Sequence, residues 1–116
     1  MIQAIQKDGG SKGLQMSKTL GVFVSSDKHL DKLIRLCRAA QKKDVEVTIF
    51  FSHLGTLLTQ NIRFKELEGL AKMSLCNVSF ENHELQRQLT GMGSEDFATQ
   101  ERHAELIAQC DRYLVF

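Results

Sequence analysis

The first regular pattern along the chain is a short apolar run, LGVFV at 20–24, with polar residues before and after it. A run of this length and composition is typical of a strand that is buried on both faces of a sheet. VEVTIFF at 45–51 has the same character and is rich in β-branched and aromatic residues. We therefore predict a second strand at 45–51.

Between these two runs, apolar residues recur at spacings of three and four. They are Leu30, Leu33, Ile34, Cys37 and Ala40. This spacing predicts one apolar stripe of a helix over roughly residues 28–43. Lys42 and Lys43 fall in its last turn, where positive charge suits the helix dipole. A strand, a helix and a second strand of these lengths predict a right-handed parallel βαβ unit.

The middle of the chain has a weaker pattern. We predict a loop with one helical turn at 52–61, a short helix at 64–72, and a third strand within 73–79. These segments again alternate helical and extended patterns, which is the order that a layered α/β fold requires.

The last part of the chain combines a helical pattern with a glycine-bearing loop. We predict a helix at 81–89, a loop at 91–97, and a helix that Ser94 caps and that runs to about Cys110. RYLVF at 112–116 closes the chain as a strand. The buried stripe of the last helix is predicted to contain Phe97, Ala104, Ile107 and Ala108.

This alternation of strands and helices predicts the fold class. We expect a single α/β domain with three layers, α/β/α, around a mainly parallel sheet of about five strands. Four strands are visible in the pattern, and we expect the fifth in the region 74–93. Residues 1–17 carry three glycines and no clear periodicity, so we predict a flexible N-terminal leader followed by the domain at 18–116.

Charge and hydropathy narrow the classes of partner. The chain has 15 basic and 14 acidic residues and a net charge of +1, whereas nucleic-acid binding needs a surplus of Lys and Arg on one face. No apolar run approaches the ~20 residues that span a bilayer, and the N-terminus has no apolar stretch typical of a signal peptide. We expect a cytoplasmic protein that binds neither nucleic acid nor membrane.

The three cysteines, Cys37, Cys76 and Cys110, are widely spaced and form no CxxC motif. We therefore expect neither a disulfide framework nor a structural zinc site. The histidines likewise lack the spacing of metal ligands, so no metal and no cofactor is expected. Cys37 lies on the predicted apolar stripe and is interpreted as core packing, and Cys110 is interpreted in the same way.

Candidate chemistry is expected at the carboxyl ends of the strands, where binding sites form in open parallel sheets. Cys76 ends an apolar segment and precedes polar residues. A thiol at such a junction faces backbone N–H groups that stabilise its thiolate, which is a nucleophile for sulfane sulfur, peroxide or disulfide. The alternative is that Cys76 is a small buried apolar residue, as free cysteines usually are.

Two further segments end strands in the same way. Ser25 is a candidate anion ligand or a helix N-cap, and both interpretations stay open. Ser52 and His53 directly follow the second strand, and His53 is a candidate for lining a site. His29 and His103 are interpreted as surface or loop residues.

The order of segments resembles that of the DsrE/DsrF-like family of sulfur-relay proteins over residues 20–116. The matching pieces are a GVFVSS-like first strand, a long amphipathic helix, VEVTIFFSHLG, FKELEGLAKMSLCNVS and a terminal DRYLVF. The resemblance implies a three-layer α/β/α domain with a five-stranded parallel sheet. It also implies trimers or hexamers, homomeric or mixed with paralogous chains, whose partners are sulfur donor and acceptor proteins.

In sulfur-transferring members of that family, a cysteine after the third strand accepts sulfur as a persulfide and passes it to a partner's cysteine. Cys76 falls at that place, so the resemblance implies this role for it. Backbone N–H groups of Asn77, Val78 and Ser79 are then expected to contact the bound sulfur, with Ser25, Ser52 and His53 in the pocket wall.

Two other functions stay open. One is a non-catalytic oligomeric module that binds a small molecule or a protein, in which Cys76 is structural. The other is a thiol redox or peroxide-reducing enzyme, which requires a second, resolving cysteine.

Overall fold

The structure is a computed structural model that describes residues 3–6, 18–83 and 96–116. In this part of the chain six strands form one sheet. They are β1 (Gln3–Gln6), β2 (Lys18–Val24), β3 (Val45–Phe51), β4 (Lys72–Cys76), β5 (Phe97–Ala98) and β6 (Arg112–Val115). Their order is β1-β6-β2-β3-β4-β5, and β1 runs antiparallel to β6 whereas the other five strands are parallel. The predicted α/β class and mainly parallel sheet are confirmed.

Three α-helices and two 3₁₀ helices connect these strands in the described residues. The α-helices are α1 (Leu30–Lys42), α2 (Asn77–Asn82) and α3 (Gln100–Gln109). The first 3₁₀ helix is His53–Gln60 and the second is Ile62–Leu67. From β2 to β5 the chain moves across the sheet in one direction, and from β5 it returns past β4, β3 and β2 to β6. Because such crossovers are right-handed, α3 lies on the opposite face from the other helices.

The larger hydrophobic cluster lies on the α1 face of the sheet. Alternate residues of the central strands, such as Val22, Val24, Ile49 and Phe51, pack there against α1. The buried residues of α1 are the five of the predicted stripe, Leu30, Leu33, Ile34, Cys37 and Ala40. Burying one such Leu or Ile side chain contributes about 1.5–3 kcal/mol, so this stripe fixes α1 on the sheet.

The second cluster lies on the α3 face and differs from the prediction. Ala104 and Ala108 are exposed, and the side chains of α3 that face the sheet include His103 and Ile107. The helix begins at Gln100 because Thr99 accepts a hydrogen bond from the Glu101 amide, 3.2 Å, as an N-cap. Ser94, the predicted cap, lies outside the described residues.

Phe97 belongs to β5 and packs on the α1 face, so its predicted place on the last helix is wrong. The fifth parallel strand is thus Phe97–Ala98, beyond the predicted region 74–93. Only the first residues of that region, as far as 83, are described.

The middle segments are more helical than predicted. Residues 53–60 form a 3₁₀ helix in place of a loop, and the hydroxyl groups of Thr56 and Thr59 each donate to the carbonyl oxygen three residues earlier, at 2.8 and 2.7 Å. Such bonds offer the backbone carbonyls an i−3 partner and suit the tighter helix. The predicted helix at 64–72 is the shorter 3₁₀ helix Ile62–Leu67, because the chain turns at 68–70 and enters β4 at Lys72.

The strand predicted within 73–79 is present as β4, which ends inside that range. β4 stops at Cys76, and α2 begins at Asn77. Of the helix predicted at 81–89, residues 81 and 82 form the end of α2, and residues 84–89 lie outside the described residues.

The N-terminal segment also contains a strand that the pattern did not predict. Gln3–Gln6 pairs with β6 from Gln3 opposite Val115 to Gln6 opposite Arg112. The remaining residues of the predicted leader, 1–2 and 7–17, lie outside the described residues. Within the described chain, no helix has the length and apolar character needed to cross a membrane.

Candidate functional site

Cys76 lies at the junction of β4 and α2, at the carboxyl edge of the sheet. It is the N-cap residue of α2, with extended backbone angles of φ −74° and ψ 115°, and its side chain makes no capping hydrogen bond. The residue is 6% exposed. The first amides of a helix have no acceptor within the helix itself, so the backbone that follows Cys76 carries N–H donors at this edge of the sheet.

The thiol faces the α3 side of the sheet. Successive strand residues point to opposite faces, and Cys76 belongs to the cluster that contains Phe50, Cys110 and Tyr113. The residues of α2 that pack inward, Ser79 and Phe80, belong to the other side, where Phe80 joins the α1 cluster. The reactive atom of the candidate site therefore faces α3, whereas most of α2 packs behind it.

The strand register places Ser25, Ser52 and Cys76 in one row across the carboxyl edge. Val24 pairs with Phe51 and Phe51 with Leu75, so the next residues of the three strands are level with one another. The Ser52 amide donates to the Val24 carbonyl oxygen, 2.9 Å, and the Ser25 amide donates to the Phe116 carbonyl oxygen, 3.0 Å. Three of the sequence-predicted site residues thus share one edge of the sheet.

His53 and Ser79 are joined directly. The His53 amide donates to the Ser79 hydroxyl oxygen, 3.1 Å, which ties the first 3₁₀ helix to α2. His53 has a left-handed backbone, φ 50°, and an exposed side chain. The Ser79 hydroxyl group therefore has a structural role, and the His53 imidazole is directed away from the buried part of the site.

The other two predicted residues, Asn77 and Val78, form the exposed start of α2. Asn77 is half-buried and Val78 is 64% exposed. Because Val78 is this exposed, the outer side of the first turn of α2 is accessible to solvent.

A close contact between Gly55 and β2 also determines the structure of this edge. Gly55 lies so near to β2 that a Cβ atom there would overlap the Val24 carbonyl oxygen. The Gly55 amide donates to the Ser52 carbonyl oxygen, 2.8 Å, which closes the turn from β3 into the first 3₁₀ helix. Only glycine fits this position, and its small size places Ser52 and His53 at the edge beside Cys76.

The other two cysteines are remote from Cys76. Cys37 is fully buried on the α1 face, and burial raises the pKa of its thiol to about 11, so it stays protonated at neutral pH. Cys110 lies at the amino-terminal edge, next to Asp111, whose amide donates to the Thr19 carbonyl oxygen. The register separates Cys110 from Cys76 by about 20 Å along the strands, at ~3.3 Å per residue, which exceeds the reach of a disulfide.

His103 is the residue that the sequence interpretation missed. Its ring stacks on Phe23, 4.3 Å between ring centroids, and on Phe50, 5.7 Å, and it forms a hydrogen bond with the Tyr113 hydroxyl group. Burial lowers the pKa of His103 and raises that of Tyr113. The interpretation as a surface residue was wrong, although His103 and Ile107 share the helical spacing of four that marks one face.

His29 lies in the loop before α1, in agreement with its interpretation as a surface or loop residue. It precedes α1 and lies edge-on to Phe116, with 6.2 Å between ring centroids. No group of three or more His, Cys, Asp or Glu residues within the described ranges is arranged to hold a metal ion.

No protein-family model, no curated protein and no solved structure matches this chain. The resemblance to the DsrE/DsrF-like family therefore stays a prediction made from the order of its segments.

Proposed function

We propose that the protein is a DsrE-like sulfur carrier that accepts sulfane sulfur on Cys76 as a persulfide and passes it to a partner thiol. The observation that carries this proposal is the position of Cys76 at the carboxyl end of a central parallel strand, one residue before a helix. Parallel sheets form their binding sites at this edge, and Ser25 and Ser52 lie in the same row.

The transfer conserves atoms and electrons. The Cys76 thiolate attacks the outer sulfur of a donor persulfide, forms Cys76–S–S⁻ and releases the donor thiolate. An acceptor thiolate then attacks the outer sulfur of Cys76–S–S⁻ and regenerates the Cys76 thiolate. Amide groups of Asn77, Val78 and Ser79 stabilise the negative charge at both stages. No metal or organic cofactor enters these steps.

The surroundings of the three thiols favour Cys76 over the others. The raised pKa of Cys37 keeps that thiol protonated and poorly nucleophilic. Cys110 lies at the edge where strands begin, away from the loops that form sites in such sheets. The proposal includes a cytoplasmic location, donor and acceptor proteins as partners, and an oligomer, a trimer or hexamer of this chain or of this chain with paralogues.

One observation favours a second function, a binding module in which Cys76 is structural. The residue is only 6% exposed and packs in a cluster with Phe50 and Tyr113, an environment typical of unreactive free cysteines. A redox enzyme is less well supported. Neither Cys37 nor Cys110 can reach Cys76, so a resolving thiol would have to come from another molecule.

Mass spectrometry after incubation with inorganic polysulfide separates the two leading functions. We expect a gain of one or more sulfur atoms that is lost in Cys76→Ser and kept in Cys110→Ser, the matched control. Reduction with a dithiol should remove the added sulfur. A gain that persists in Cys76→Ser, or no gain in the unmodified sequence, would leave the binding module as the better account.

A further inference from the structure

A cleft opens at the amino-terminal edge of the sheet, between α1 and strands β2, β3 and β6. Its volume is about 360 Å³, which is within the range of small-molecule sites. It lies on the α1 face and at the opposite end of the strands from Cys76. The lining residues include Leu20, Leu36, Ala39, Ala40 and Val45, with Lys18, Lys43 and Arg112 at the rim.

The floor of the cleft is apolar and incompletely covered. Leu20, Leu36 and Val45 pack against the main core, yet each of them is only half-buried. Ala39 is exposed on the outer side of α1 and bounds the cleft with a methyl group. An occupant with a hydrocarbon body would remove this apolar surface from water, which is favourable.

The rim carries an excess of positive charge. Lys18, Lys43 and Arg112 are all exposed, and none of them forms an ion pair with another residue in the ranges that the structure describes. The acidic residue at the rim, Asp111, already accepts hydrogen bonds from the Thr19 amide, 2.8 Å, and from the Thr19 hydroxyl group, 3.2 Å. Among the lining residues that the structure describes, three cations outnumber one carboxylate, and this balance attracts an anion.

We propose that this cleft binds an amphiphilic anion, a medium-chain carboxylate whose hydrocarbon chain lies on Leu20, Leu36 and Val45. Its carboxylate group lies among the ammonium and guanidinium groups of Lys18, Lys43 and Arg112. An apolar body fits the floor, and a single negative charge at one end fits the rim. The site is independent of the sulfur chemistry, because it shares no residue with the edge at which Cys76 lies.

Titration of the isotope-labelled full chain with decanoate, below its micelle concentration, tests this proposal by amide chemical shifts. We expect saturable shifts confined to residues around Leu20, Leu36 and Val45. Decan-1-ol, which has the same chain without the charge, should bind at least about fivefold more weakly, the size of an exposed charge interaction. Cys76→Ser should leave decanoate binding unchanged, so the two proposals fail separately.

Two variants test the two halves of the cleft. Ala39→Phe fills the apolar space from an exposed helical position and should weaken decanoate binding by about tenfold or more. Lys43→Glu should weaken it about fivefold, whereas Lys28→Glu, an exposed change beyond the other end of α1, should leave it within about twofold. Saturable shifts elsewhere in the chain, no saturable shift, or equal affinity for decan-1-ol would overturn the proposal.

Discussion

At the residue scale, the proposed chemistry depends on the different surroundings of two cysteines, Cys37 and Cys76. Cys37 is fully buried in an apolar core, which raises its pKa to about 11. Cys76 is also buried, at 6% exposed, but it ends β4 at the residue before α2. Burial disfavours a thiolate and nearby N–H donors favour it, so the proposed function depends on the position of Cys76 directly before α2.

This contrast predicts different alkylation rates in the folded protein. At pH 7, iodoacetamide should modify Cys76 at least about a hundredfold faster than Cys37, because only thiolates react and Cys37 is almost fully protonated. Peptide mapping by mass spectrometry gives both rates in one experiment, and a denatured sample supplies the control in which the rates converge. Equal rates in the folded chain would count against a reactive Cys76.

His103 should make stability depend on pH. Burial lowers its folded pKa below the ordinary 6.5, so the unfolded chain binds more protons between the two values. The stability that neutral His103 contributes is present above about pH 6.5 and is lost as the pH falls through the folded pKa. Thermal unfolding between pH 5 and pH 7.5 measures this loss.

Two variants assign that pH dependence. His103→Phe keeps an aromatic ring against Phe23 and Phe50 and should flatten the stability profile below pH 6.5. His29, whose pKa is also lowered, mainly by desolvation, serves as the comparison through His29→Gln. If His103→Phe left the slope intact, the His103 imidazole would not be its source.

At the element scale, the connection after β3 depends on one glycine. A Cβ at Gly55 would overlap the Val24 carbonyl oxygen, a backbone atom that cannot move without disturbing β2. Gly55→Ala should therefore cost about 3 kcal/mol or more of unfolding free energy, measured in urea. Gly69 is the matched control, because it has φ 81° and open space around it. Asn adopts that conformation readily, so Gly69→Asn should have a much smaller effect.

The elements that could be predicted from the sequence are those with a strong period. The five-residue stripe of α1 and the run VEVTIFF match their elements in the structure. β5 has two residues and is too short to show any period. The predicted stripe of α3 was right at Ile107 and wrong at Ala104 and Ala108, which face solvent. His103 occupies an inward position instead, and that depends on the aromatic rings of β2, β3 and β6.

At the scale of the whole molecule, the strand order decides which residues meet. The sequence placed Ser25, Ser52 and Cys76 at strand ends, but hydrophobic patterns carry no information on which strands are neighbours. The order β6-β2-β3-β4 makes the three residues adjacent at the carboxyl edge of the sheet. Cys110 precedes β6 and therefore lies at the amino-terminal edge. The candidate site and the cationic cleft thus lie at opposite ends of the same strands.

Hydrogen bonds between Thr19 and Asp111 join β6 to β2 at the amino-terminal edge of the sheet. The Asp111 carboxylate accepts from the Thr19 amide and hydroxyl group, and the Asp111 amide donates to the Thr19 hydroxyl oxygen, 3.0 Å, and to the Thr19 carbonyl oxygen, 3.1 Å. These bonds join the last strand to the first parallel one, across residues far apart in the chain. They stabilise the start of β6, where the chain re-enters the sheet after α3.

Removing the carboxylate should loosen that junction. Asp111→Ala leaves the Thr19 amide without its protein acceptor and should cost about 1–2 kcal/mol in urea unfolding. Asp27→Ala, an exposed aspartate in the loop before α1, should stay within about 0.5 kcal/mol. Amide exchange should quicken at β6 and the start of β2 and stay unchanged in β3 and β4. If Asp111→Ala were as stable as Asp27→Ala, strand pairing alone would hold β6 in place.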